Sequence, residues 1–189
     1  PLHSSAASDV YKRQLPCLTP KDKNDLKFVL NEKIEWLALS FVRSADDLIK
    51  LRKILKRNKS KIGVISKIEK PEAVKNIDEI ITHSNAIMVA RGDLGVEIPP
   101  YRVPAIQKKI VKKAVERSRP VIIATQMLES MTFSPVATRA EVNDVANSVI
   151  DGADAVMLSG ETSVGKHPIK TDETMRKIIR DIEKSDYNF

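Results

Sequence analysis

Lys67 and Glu69 stand two residues apart at the end of the apolar run IGVISKIE, residues 62–69. Side chains two apart in extended backbone leave the same face, so an ammonium and a carboxylate would project together from a strand end. Taken alone, that pair reads equally well as a structural ion pair. Asp93 changes the reading. It comes after the next apolar run, AIMVA at 86–90, within IMVARGDLGVEIPP, beside Gly92 and before Gly95. Carboxylates on neighbouring strand ends repel unless a cation lies between them. A hard divalent ion with oxygen ligands, Mg²⁺ or Mn²⁺, resolves the conflict and keeps positions open for water and an anionic substrate. Lys67 beside it would stabilise charge developing on a phosphoryl group or an enolate. Gly92, with no side chain, lets a substrate carboxylate reach backbone N–H groups, and the N-terminus of a short helix expected near GVEIPP would reinforce that contact. Thr125 offers a hydroxyl that could relay a proton through water, although hydroxyls at strand ends more often serve as caps.

Other signals carry less. Arg91-Gly92-Asp93 matches the integrin-ligand tripeptide, but that use needs an exposed loop in a secreted protein, and here an apolar strand feeds straight into it. LSGETSVGK, residues 158–166, has the closing Gly-Lys of a phosphate-binding loop, yet His167 occupies the Ser/Thr position of the pattern. None of His3, His83 and His167 has a partner at metal-ligand spacing.

The elements that must position these groups alternate regularly. Thr19, Pro20 and Asp22 start a helix with Leu26, Val29 and Leu30 inside, and the run 34–41 comes next. Ser44 and Asp47 open a helix to about Lys56, succeeded by the run 62–69. Pro71 begins a helix with Val74, Ile77, Ile80 and Ile81 inside, then 86–90; Pro104 begins one with Ile106, Ile110, Val111 and Ala114 inside, then 121–125. Thr138 and Glu141 repeat the capping-box pattern, Gly152 suits the C-terminal cap, and 154–159 leads to a last helix with Met175, Ile178, Ile179 and Ile182. This predicts five strands interleaved with six helices. The strands are continuous apolar runs, the habit of parallel sheets covered on both faces. Each ends in polar chemistry: Ser40, Phe41 and Arg43; Lys67 and Glu69; Asp93; Thr125 and Gln126; Ser159 and Glu161. An open doubly wound sheet gathers ligands at one switch point, whereas a barrel gathers them around one mouth, so five such strands favour the α/β barrel of the (β/α)8 TIM type.

Composition agrees with a folded domain: 189 residues, 42% hydrophobic and 30% charged. The single Cys17 excludes an internal disulfide or a thiolate metal cluster. There is no membrane-length apolar stretch and no signal-peptide pattern, which predicts a cytoplasmic protein. A net charge of +7 with only 4% aromatic residues speaks against nucleic acid. The densest basic run, LRKILKRNKSK at 51–61, keeps helical apolar spacing and reads as a solvated helix face that could also steer an anionic substrate. Residues 1–14 lack the periodicity of the remaining chain and are expected to be a disordered or non-native head, with the barrel portion in 15–189.

From about Leu15 onward the chain resembles pyruvate kinases, on the strings SKIEKPEAV, IMVARGDLGVEIP, ATQMLESM and TRAEVNDVANSVIDGADAVMLSGET, in the family's order. The resemblance implies that Lys67 stabilises the transferring phosphoryl, that Glu69 and Asp93 are metal ligands, and that Gly92 contacts the substrate carboxylate. It implies that Thr125 contacts substrate and takes part in protonating the enolate, and that Ser40 lies near a monovalent-cation site. Arg91, Ser159 and Glu161 are weaker site candidates. It further implies phosphoryl transfer from phosphoenolpyruvate to ADP, giving pyruvate and ATP in glycolysis, with Mg²⁺ (or Mn²⁺) and K⁺, in a homotetrameric parent.

By that resemblance the chain corresponds to barrel strands 4 to 8. It is expected to lack the first three strands, the inserted lid and the C-terminal regulatory domain, and to be inactive alone. Val136 and Ala137 stand where the family commonly has Arg-Pro. A divalent-metal-dependent lyase or aldolase of pyruvate-like acids is the alternative, and Lys67 discriminates, because a metal enolate does not need that cation.

Overall fold

The computed structural model describes residues 16–185, so the head at 1–14 lies outside the described residues. The element order is α1 (Pro20–Val29), β1 (Trp36–Leu39), α2 (Ala45–Arg57), β2 (Gly63–Ile68), α3 (Pro71–Lys75), α4 (Ile77–His83), β3 (Ala86–Ala90), α5 (Arg91–Glu97), α6 (Val103–Glu116), β4 (Val121–Ala124), α7 (Arg139–Ile150), β5 (Ala155–Met157), α8 (Gly160–Ser163) and α9 (Pro168–Lys184). One-turn 3-10 helices occupy Pro100–Arg102 and Glu129–Thr132. Among the described residues, no helix is long and apolar enough to cross a membrane.

All five strands pair in parallel, in the order β1-β2-β3-β4-β5. Doubly wound sheets reverse direction at a switch point; an order that simply tracks the chain is singly wound, the topology of an α/β barrel. The core lies between the sheet and the helices. Leu48 and Leu51 of α2, Ile80 and Ile81 of α4, and Ile110 and Val111 of α6 are fully buried. They pack in one cluster with Val64, Ile68, Ile87, Val89 and Ile123 of the sheet. Each such side chain contributes roughly 1.5–3 kcal/mol by leaving water.

The helix starts obey the local rules. Thr19 with Asp22 and Thr138 with Glu141 form complete capping boxes. Asp47 accepts the backbone N–H groups of Arg43 and Ser44 ahead of α2. Gly152 comes just after α7 at φ +97°, where glycine carries no Cβ penalty.

Several expectations need correction. The described residues form nine α-helices rather than six. The helix expected from Pro71 breaks at Asn76, whose side-chain amide donates to the Arg43 carbonyl at 2.9 Å. The short helix expected near GVEIPP instead begins at Arg91, directly after β3, and ends at Glu97 before Pro99 and Pro100. Likewise α8 succeeds β5 with almost no loop. The two-sided coverage expected of every strand holds for β3, buried at all five positions. It fails on β1 and β5, where Trp36, Ala38 and Ala155 are exposed, because the face opposite the helices has no further strands over it among the described residues.

Candidate active site

The parallel register sets the level of the polar groups. Ile68 pairs with Val89 and Ala90 with Ala124, so the residues after β2, β3 and β4 emerge together at the C-terminal edge. There Lys67 and Glu69 meet as their spacing suggests, Nζ to Oε1 at 2.6 Å. Glu69 is 1% exposed and Lys67 25%. A buried carboxylate requires compensation at both oxygens. The second oxygen, Oε2, accepts the Phe41 backbone N–H at 2.7 Å. Phe41 adopts φ +56°, an uncommon conformation for a bulky residue, and that turn aims its amide at Glu69.

Ser40 joins the same cluster. Its Oγ accepts from Lys67 Nζ at 3.0 Å, and its carbonyl accepts from the Cys17 thiol at 2.9 Å. Burial, and secondarily the nearby Asp47 carboxylate, push that thiol up to about 12, so it stays a protonated donor. Two strand ends therefore fix the ammonium: β2 carries it together with the buried carboxylate that holds it, and the turn after β1 supplies the Ser40 hydroxyl.

The second cluster lies after β3 and β4. Gly92 N–H donates to Thr125 Oγ1 at 2.8 Å. A Cβ on Gly92 would stand 3.3 Å from that oxygen, closer than most packed carbons come, so glycine admits the contact. The Gly92 amide thus already has a partner, whereas the sequence suggests an amide open to a substrate carboxylate. Asp93 lies in the first turn of α5 and is exposed.

Thr125 and Gln126 are consecutive non-glycine residues at φ +72° and +54°. Such conformations cost of order 1–3 kcal/mol each and persist only where surroundings impose them. Arg91 supplies the restraint. Its guanidinium donates to the Thr125 carbonyl from Nε (3.2 Å) and Nη2 (2.8 Å), and to the Gln126 carbonyl from Nη2 (3.0 Å). Nη1 meets both oxygens of Asp144, at 2.8 and 2.7 Å.

Glu161, 1% exposed, accepts the backbone N–H groups of Met127, Leu128 and Ser159, tying the loop after β4 to the one after β5. Its oxygens are occupied by backbone, as expected of a carboxylate that shapes a loop. The backbone-donor role of Phe41, the clamping role of Arg91, and Asp144 escape sequence reasoning; only the charge opposition of Arg91 and Asp144 is legible, and nothing local pairs residues so far apart.

Among the described residues, no group of three or more His, Cys, Asp or Glu side chains comes together as a metal cage. The donor chemistry on offer is two carboxylates, Glu69 and Asp93, at the ends of neighbouring strands. That suits a hard ion such as Mg²⁺, which commonly takes one or two protein carboxylates and completes its shell with water and substrate oxygen.

A singly wound parallel sheet with its polar groups gathered at the C-terminal ends of its strands defines a portion of an α/β-barrel enzyme. A family model described as pyruvate kinase, barrel domain, matches residues 8–171. The pyruvate kinase of Agrobacterium vitis is 53% identical over 167 residues, covering 88% of this chain and 35% of that protein. That of Mycobacterium tuberculosis (strain ATCC 25618 / H37Rv) is 51% identical over 170 residues, 90% of this chain and 36% of that protein. That of Clostridium acetobutylicum is 52% identical over 171 residues, again 90% and 36%. The chain belongs to the pyruvate kinase family, and it spans about a third of the length of these relatives. That membership leaves the lyase or aldolase alternative without support.

Proposed function

We propose that this chain carries the metal-binding and phosphoryl-transfer residues of a pyruvate kinase, which moves the phosphoryl group of phosphoenolpyruvate to ADP, giving pyruvate and ATP in glycolysis. The observation that carries the proposal is the Lys67–Glu69–Ser40–Phe41 cluster standing beside the Gly92–Thr125 contact at successive strand ends.

Lys67, held by Ser40 and Glu69, faces the phosphoryl group and neutralises the charge that spreads over its oxygens as it passes between donor and acceptor. Glu69 and Asp93 would hold a divalent ion, Mg²⁺ or Mn²⁺, and the bound ion would supply electrostatic stabilisation of phosphate and enolate oxygens. Thr125 directs its hydroxyl at the enolate carbon. Because Oγ1 accepts from Gly92 N–H, its own proton is not spent on that contact and stays available to donate. By the family resemblance we take Ser40 to neighbour a K⁺ ion in the whole enzyme, which we take to be a cytoplasmic homotetramer acting on phosphoenolpyruvate, pyruvate, ADP and ATP.

The test is a transplant. The matched segment of the Agrobacterium vitis relative is replaced by the corresponding residues of this chain, and ADP-dependent pyruvate formation from phosphoenolpyruvate is measured with Mg²⁺ and K⁺. We expect activity; a folded, assembled chimera that binds Mn²⁺ but forms no pyruvate would overturn the reading.

A further inference from the structure

We propose that Arg91, itself held by Asp144, is the positioning residue that sets the Thr125 hydroxyl for the proton step, an inference that rests on the function proposed above. Thr125 sits at the junction of two opposed demands. Its backbone is left-handed, as is that of Gln126, and β-branched residues resist that conformation. Its hydroxyl must nevertheless hold one direction, with Oγ1 2.8 Å from the Gly92 N–H. Relaxation of the Thr125 backbone towards negative φ would swing the side chain away from that amide.

The Arg91 guanidinium prevents the relaxation. It grips the two strained carbonyls in succession, at 2.8 and 3.0 Å from one nitrogen, and a third contact from the same nitrogen reaches Met127 Sδ at 2.9 Å. The opposite edge of the guanidinium lies on Asp144 of α7 and 3.4 Å from Gln107 Oε1 of α6. Ser148 Oγ accepts from Gln107 Nε2 at 3.5 Å and donates to the Asp144 backbone carbonyl at 2.9 Å, so Gln107 is tied to α7, the helix that carries Asp144. Arg91 is also the residue before Gly92, and one residue therefore fixes both ends of the Gly92–Thr125 contact. A lysine could supply the charge but not the fork that reaches two carbonyls and a carboxylate together.

In the step concerned, the Thr125 hydroxyl gives its proton to the methylene carbon of the enolate, a C–H bond forms, the enolate oxygen becomes the carbonyl, and the hydroxyl regains a proton from water. The reverse step is visible as exchange of the pyruvate methyl protons with solvent.

The experiment uses the full-length enzyme proposed above, with Arg91→Lys, Asp144→Asn and the double variant. Methyl-proton exchange is monitored in deuterated solvent, alongside KM for phosphoenolpyruvate and Mn²⁺ affinity by electron paramagnetic resonance. We expect exchange and kcat to fall about tenfold to a hundredfold, as misplacement of a reacting group does, with KM and Mn²⁺ affinity within about twofold. The double variant should be no worse than the poorer single one. Adding Gln126→Gly to Arg91→Lys should restore part of the exchange, since glycine holds a left-handed turn without the clamp. Exchange at the unsubstituted rate in both single variants overturns the proposal, as does a parallel loss of exchange, KM and Mn²⁺ affinity, which marks a merely structural residue. If Arg91→Lys does not accumulate, Asp144→Asn alone decides. An unsubstituted enzyme that exchanges methyl protons but transfers no phosphoryl group sinks the functional reading and leaves the clamp standing; one that does neither sinks both.

Discussion

Glu69 has two buried oxygens with different partners, an ammonium at one and a backbone amide at the other. That asymmetry predicts how the residues divide their work. Lys67→Met leaves Oε1 without its cation, and a buried carboxylate in that state gains from a divalent ion. We therefore expect Lys67→Met in the whole enzyme to lose phosphoryl transfer by about a thousandfold or more while keeping Mn²⁺ binding and metal-dependent enolisation of pyruvate. Mn²⁺ affinity lost with Glu69 and Asp93 intact would refute the division. Because Lys67 is a quarter exposed, solvent screens the pair, and the stability loss should fall below the roughly 3–5 kcal/mol seen when fully buried pairs are broken. The presence of Lys67 and Glu69 on one strand face was legible from their spacing of two; the hydroxyl and the amide that orient them were not, since both come from a turn whose left-handed Phe41 has no sequence signature.

At the level of elements, the stretch after β4 holds a single 3-10 turn and is fastened by charged side chains from its neighbours: Arg91 on Thr125 and Gln126, Glu161 on Met127 and Leu128, Glu141 on Ser130. Glu141 does this while completing the capping box of α7, accepting from Ser130 N and Oγ and from Thr138 N and Oγ1. Burial pushes its carboxyl up, but the hydrogen bonds from Ser130 and Thr138 together hold it below its ordinary value. A depressed carboxyl stabilises the fold above its unfolded value, and that contribution is lost as pH falls through the lower, folded one. Glu141→Gln should thus cost about 1–2 kcal/mol in urea denaturation at neutral pH, and the gap to the unsubstituted chain should close in acid. A gap independent of pH would exclude a charged cap. The three capping motifs and Gly152 could be read from sequence because each depends on residues within one turn. The Asn76 break, α5 and α8 could not, being too short to show a period.

At the scale of the molecule, the five strands of the described residues form an open sheet whose edges are β1 and β5. Trp36, half exposed, stands with Ala38 on the face away from the helices, and unpaired parallel edges invite association. Barrel closure at the family's size takes eight strands. We predict that the 189-residue chain alone forms no pyruvate from phosphoenolpyruvate and ADP with Mg²⁺ and K⁺, and that its sedimentation shows concentration-dependent association. Turnover by the purified chain would overturn the first expectation, and a monomer at all concentrations the second.

By itself the sequence determined the parallel α/β alternation, the helix caps and the chemistry-bearing residues at each strand end, because periodicity, capping and strand-face alternation act over a few residues. Only the tertiary structure decided which groups meet: Ser40 with Lys67 across 27 positions, Phe41 with Glu69 across 28, Gly92 with Thr125 across 33, Arg91 with Asp144 across 53. Those meetings depend on strand register and on the left-handed Phe41, Thr125 and Gln126 at two strand ends, and both are set by packing of the whole sheet against its helices rather than by any neighbour in the chain.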